Sequence, residues 1–141
     1  MSIEQNIASM QRCFYEVWNE GNLDVVPELV SDRYISYSTA RGETGSGLAD
    51  FKRNVKNWRA AMPDLHLAVD SVAAAGDWLE TRLTLTGTIS EGRGNGGATC
   101  KPIHHRFYVF SRYMDGKCVE ATTCSDSASL ANKTGLPNAE I

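Results

Sequence analysis

No run of basic residues lies on any predicted helix of this chain, and lysine plus arginine total 14 against 17 aspartate plus glutamate. A surface for nucleic acid or for an anionic membrane needs concentrated positive charge, so neither partner is expected. No apolar run approaches the roughly 20 residues of a membrane span. The opening segment MSIEQNIASMQRC is polar through its first turns and lacks the apolar core of a signal peptide. A cytoplasmic location and a small, neutral or weakly charged partner are the expectations that follow. Cys13, Cys100, Cys118 and Cys124 form no C-x-x-C pair, and a reducing cytosol disfavours stable disulfides. His104 and His105 are adjacent, which suits one metal ligand from a strand but not two. The cysteines therefore read as buried thiols, with no metal site.

What the chain does have is periodicity. At 141 residues it is long enough for one domain with a single sizeable core, and residues 1–141 read as that domain. Ile3, Ile7, Met10, Phe14 and Val17 recur at three- and four-residue spacing, so residues 3 to 19 read as an amphipathic helix ended by Gly21. Asn22 can cap a second helix, in which Pro27 falls within the first turns. Tyr34 to Ser38 is a short strand-like run, and the Gly-rich stretch RGETGSG reads as a bridge. Leu48, Phe51, Val55, Trp58 and Met62 again have helical spacing until Pro63 stops it. Leu65, Leu67 and Val69 alternate with polar or small residues, and Gly76-Asp77 turns the chain into the next strand. There Leu79, Thr81, Leu83 and Leu85 share one face and Trp78, Glu80, Arg82, Thr84 and Thr86 the other. Gly92 to Pro102 has no periodicity and reads as a flexible loop; a phosphate cradle would need a helix after it, and a strand follows. His105 to Arg112 and Cys118 to Cys124 pair through an Asp115-Gly116 turn, and a short helix, Ser127 to Lys133, ends the pattern.

The helix, Asn-Glu-Gly-Asn turn and second helix of FYEVWNEGNLDVVPELV come first. The MPDL helix end, the TLTGT strand and the DGK hairpin follow in the same order. Together they resemble the SnoaL-like polyketide-cyclase branch of the nuclear transport factor 2-like superfamily, over roughly Ile7 to Leu136. The resemblance implies an α+β, cystatin-like cone, a curved and mainly antiparallel sheet wrapped around helices. It also implies cofactor-independent acid–base cyclisation or isomerisation of a carbonyl-bearing polyketide or terpenoid intermediate. Counted from the DGK turn, the family's carboxylate position falls on Thr123, and its His and Gln positions on Val109 and Phe107. The steroid-isomerase donor and base positions fall near Phe14 and Ser38. Two alternatives therefore stay open: a non-catalytic binding or accessory domain, and an epoxide hydrolase, for which Glu80, Arg82 and Glu120 are the nearest charged strand residues.

Phe14, Trp18, Trp58, Phe107, Val109 and Thr123 are the candidates for a pocket wall around a small hydrophobic ligand. His105 shares strand parity with Phe107 and Val109 and is the best acid or base candidate. Tyr37 lies where many relatives carry a histidine at the pocket floor, and Asp126 matches an acidic residue after the last strand, where it could equally cap the final helix. Glu120 should face the opposite side of the sheet and meet Arg82 or Arg106, and Asp64 and Asp115 read as turn residues. The alternate face of the Trp78 strand suits pairing with a second copy, so a homodimer is expected. Trp58→Ala is expected to cost ~3–5 kcal/mol in a denaturant melt if the ring is core. An unchanged melt with lost ligand binding would make it the wall of an open pocket instead.

Overall fold

Ser2 starts the first helix by a reciprocal pair of bonds. Its hydroxyl accepts from the Gln5 N–H at 3.2 Å while Gln5 Oε1 accepts from the Ser2 N–H at 3.2 Å, which satisfies two otherwise orphaned donors. In the computed structural model, which describes residues 2–90, 100–125 and 127–135, helix α1 covers Ile3–Arg12. The expected single helix then widens, because Cys13–Asn19 is π-helical. The looser winding lets Phe14, Val17 and Trp18 all stay buried on the side facing the sheet. Gly21 ends it at φ +76°, a left-handed conformation that favours glycine, and a Cβ there would press on the Arg59 side chain. Leu23–Val25 is a 3-10 turn, capped by Asn22, and leads into α2, Val26–Leu29, with Pro27 in its first turn.

Six strands follow: β1 Val30–Ser38, β2 Gly42–Ser46, β3 His66–Ala75, β4 Trp78–Ser90, β5 Cys100–Met114 and β6 Lys117–Cys124. They form one sheet in the order β2-β1-β6-β5-β4-β3, antiparallel throughout except for the β1–β6 pair. Helix α3, Gly47–Ala61, connects β2 to β3, and α4, Ser127–Thr134, follows β6. The mixed α+β architecture expected from the sequence is the one observed.

One face of the sheet is covered. Leu79, Thr81, Leu83 and Leu85 of β4 and Ile103, His105, Phe107, Val109, Ser111 and Tyr113 of β5 are buried beneath the helices. The residues between them point to the bare face, where Trp78, Tyr108 and Phe110 stay 40%, 45% and 38% exposed. Arg82 lies 5.3 Å from the centre of the Tyr108 ring. Glu120 lies on this face as expected, but its ion pair is with Arg112, at 2.6 Å, and not with Arg82 or Arg106, because the β5–β6 register sets Glu120 and Arg112 opposite each other; Arg82 pairs with Glu80.

β3 runs to Ala75, where the expected Gly76-Asp77 turn leads into β4, and it pairs with β4 along its length. Two further sequence expectations change. Gly42–Ser46 of RGETGSG form strand β2, whose register against β1 shifts at Ser36/Tyr37. Of the expected Gly92 to Pro102 loop, Cys100 to Pro102 belong to β5 and the rest lies outside the described residues.

The helical layer is tied to the sheet at Asn19. Its Nδ2 donates to the Leu67 carbonyl at 2.9 Å and its Oδ1 accepts from the Leu67 N–H at 2.7 Å. Since β3 is an edge strand, these are the ladder bonds that no further strand supplies. Arg59 Nη1 donates to the carbonyls of both Trp18 and Asn19 at 2.9 Å, fixing α3 to the same point. Asn19→Ala leaves a donor and an acceptor of the fully buried Leu67 unpaired and should lower the free energy of unfolding by ~2–4 kcal/mol in urea denaturation. A loss under ~0.5 kcal/mol, the range of an ordinary surface change, would contradict this tie.

Candidate functional site

Between α1, the π-helical segment and α3 on one side and β1, β5 and β6 on the other lies a cavity of about 580 Å³. Its depth is aromatic and aliphatic: Met10, Phe14, Trp18, Leu29, Val30, Phe51, Trp58 and Val109. Phe51 meets Tyr34 edge-on at 5.4 Å between ring centres and Trp18 at 6.4 Å, the offset geometry that ring quadrupoles favour. Strand alternation brings Tyr34 and Ser36 of β1, Ser111 and Tyr113 of β5 and Thr123 of β6 to the same wall. The mouth is polar, with Arg41, Glu43 and Thr44 around β2 and Asp50, Arg53, Asn54 and Asn57 on α3.

The electrostatics of the deep wall favour neutral groups. Burial raises the phenol of Tyr34 well above its ordinary value, and does the same to Tyr113, where the neighbouring Ser111 hydroxyl opposes the shift without reversing it. Burial also pushes the Cys13 thiol up to about 12 and raises that of Cys118. An apolar cavity cannot solvate phenolate or thiolate, so all four groups stay protonated at neutral pH. Among the described residues no hydrogen bond is found for Tyr34 Oη, and the titratable groups that act on it are Cys118, Cys13 and Tyr113. The carboxylates that line the cavity, Glu43 and Asp50, sit at its mouth. Asp50 is held below the usual carboxylate range by the Ser46 N–H at 2.9 Å and by Arg53 at 2.6 Å.

Among the residues singled out from the sequence, Phe14, Trp18, Trp58, Val109 and Thr123 line this cavity. Phe107 and His105 are buried on the same face of β5 but beyond the cavity's end. His105 Nε2 lies 2.7 Å from Ser125 Oγ and Nδ1 lies 3.4 Å from Lys133 Nζ. An ammonium group offers only protons, so Nδ1 is the acceptor and the remaining ring proton faces Ser125. Lys133 Nζ also donates to the His104 carbonyl at 3.0 Å, so the cluster pins α4 to β5. Tyr37 pairs with Thr122 and shares its bare face; the inward residues of β1 are Tyr34, Ser36 and Ser38. Asp126 lies outside the described residues. Among the described residues no cluster of three or more His, Cys, Asp or Glu could hold a metal ion, and no helix is long and apolar enough to cross a membrane.

The arrangement of sheet, helices and cavity meets its match in a known family, since residues 8–133 fit the SnoaL-like polyketide cyclases. The chain belongs to that family. Its fold is that of the nuclear transport factor 2-like proteins. A Jannaschia sp. CCS1 protein, provisionally described as a SnoaL-like polyketide cyclase, superposes with TM-score 0.79 at 19% identity over 97% of each chain. A Bacillus cereus ATCC 10987 protein, provisionally described as a polyketide cyclase, gives TM-score 0.76 at 24% identity over 96% of this chain and 86% of the other. AclR of Streptomyces galilaeus, provisionally described as a hydroxylase, gives TM-score 0.76 at 28% identity over 96% of this chain and all 100% of the other. No curated protein matches the chain in sequence.

The residues that sequence reasoning missed are Tyr34, Tyr113 and the mouth on α3. The signal for Tyr34 was its parity with Ser36 and Ser38. Because Tyr34 and Tyr113 have raised folded-state values, stability is fully present below the ordinary phenol value of about 10 and falls as pH rises beyond it. A 295 nm absorbance titration should show these two phenols ionising last and together with unfolding, and Tyr34→Phe should shrink that late phase. Ionisation of all five tyrosines in one early phase with the fold intact would contradict the assignment.

Proposed function

We propose that this SnoaL-like protein takes a largely apolar, carbonyl-bearing molecule of the polyketide or terpenoid kind into the cavity and cyclises or isomerises it through an enolate. The observation that carries this reading is Tyr34, a neutral buried phenol on the wall of an apolar cavity, with no hydrogen-bond partner found among the described residues. A donor fixed in a low-dielectric site stabilises a developing oxyanion without reorganisation. Tyr113, beside Ser111, supplies a second donor on the same wall. The proton leaves the carbon next to the polarised carbonyl for a carboxylate at the mouth, Asp50 or Glu43. A neutral hydroxyl donor acting together with a carboxylate base carries keto–enol chemistry at other active sites. In this scheme His105 orders α4, and Phe14, Trp18 and Trp58 grip the apolar body.

Binding without turnover is a second reading. It is favoured by Thr123, a hydroxyl where the family resemblance places a carboxylate, and by the peripheral position of Glu43 and Asp50. Deuterium exchange into the acidic carbons of 2-tetralone, followed by NMR, separates the two. The enzyme reading expects accelerated exchange that Tyr34→Phe slows by ~10²-fold, the cost of losing one oxyanion donor. Tight binding with no acceleration would leave the second reading standing, and absence of binding would remove both.

The bare face of the sheet supports a homodimer. There Trp78, Phe110 and Tyr108 stand opposite Arg112, Glu80 and Arg82, a mixed aromatic and charged surface suited to pairing with a second copy. Sedimentation at micromolar concentration should give a dimer that Phe110→Glu dissociates. A wild-type monomer under those conditions would contradict it.

A further inference from the structure

The helix that walls the cavity carries a second depression on its flank. Ala49, Lys52, Arg53, Lys56 and Asn57 follow one another at helical spacing along α3, and with Leu23 of the 3-10 turn they line a shallow hollow of about 420 Å³. Arg53 and Asn57 line the cavity as well, so the hollow borders the cavity mouth. Three of its residues are cations, and among the described residues no carboxylate lines it. Asp50 is engaged with Ser46 and with Arg53 Nη1, a bond that uses one corner of the guanidinium. In a chain of net charge −3 this is a local field of the opposite sign, placed where a ligand would enter.

We infer that the α3 flank is a subsite for an anionic terminus, a carboxylate or a phosphate monoester, on a ligand whose apolar body fills the cavity. The inference rests on the reading of the cavity as a ligand site. The hollow is too open to bury an apolar group. Lysines on flexible stems suit it to a point contact with an oxyanion that keeps part of its hydration. A charge held at the rim also orients the ligand. With the anion on Lys52 and Lys56, the apolar end goes in first and reaches Tyr34, and the reversed pose would bury a charge among Phe14, Trp18 and Trp58.

Two fluorescent probes test this directly. 1-Anilinonaphthalene-8-sulfonate and N-phenyl-1-naphthylamine share one apolar skeleton, and only the first carries an anion. At 10 mM salt the wild-type protein should bind the sulfonate about tenfold more tightly, and the advantage should shrink at 200 mM as the screening length drops below ~10 Å. Lys52→Gln combined with Lys56→Gln should weaken sulfonate binding about fivefold at low salt, the scale of exposed charge pairs, and leave the neutral probe unchanged. Displacement of the neutral probe by octanoate, monooctyl phosphate and octanol then identifies the terminus, with one of the two anions the strongest. Equal affinity for both probes, equal weakening of both in the double variant, or octanol matching the anions would overturn the inference while leaving the cavity as a ligand site. If neither probe binds, the cavity reading itself falls.

Discussion

Two hydrogen bonds from Asn19 to Leu67 hold the helical layer against the edge of the sheet, and the rest of the site depends on where that attachment is made. The bonds complete an edge strand that has no further strand beside it, and Arg59 ties α3 to the same turn through two carbonyls. With the end of the π-helical segment fixed over β3, its Phe14 and Trp18 are held above β1, β5 and β6 without filling the space between. A helix of ordinary pitch would rotate those rings relative to Asn19, so the π winding and the tie together set the shape of the cavity.

The same burial that makes the cavity apolar decides its chemistry. Four titratable groups reach the deep wall, and each is of a kind that stays neutral when desolvated. The charged groups are confined to the mouth, where Asp50 is paired and water is near. Donors inside and acceptors at the entrance form a gradient that a carbonyl-bearing ligand can occupy in one direction. Ser36 and Thr44, 2.9 Å apart between hydroxyls, tie β2 to β1 at that entrance.

Much of the fold could be read from the sequence because it is written in period. The alternation of Leu79, Thr81, Leu83 and Leu85 fixes the inner face of β4, and the Asp115-Gly116 turn fixes the β5–β6 hairpin. Family membership was legible from the order of such patterns, since residues 8–133 carry it. The site was less so. Parity says which face His105 takes, but not that the helical layer leaves its opening only from Val109 onward. Tyr34 and Tyr37 lie in one short strand, and choosing between them needs the register with β6, where Tyr37 meets Thr122. The basic flank of α3 was hidden because Lys52, Arg53 and Lys56 are interrupted in sequence by Asn54 and Val55 and meet only on the helix surface. Strand β2 was concealed by its glycines, which weaken any strand pattern.

The central claim is that Tyr34 donates a hydrogen bond to a ligand carbonyl inside an apolar cavity. Infrared spectroscopy of 2-tetralone labelled with carbon-13 at its carbonyl reads that bond directly. In the wild-type complex the carbonyl stretch should fall below its frequency in an apolar solvent, and in Tyr34→Phe it should return most of the way toward that frequency. A bound ketone whose band is the same in both proteins would contradict the account.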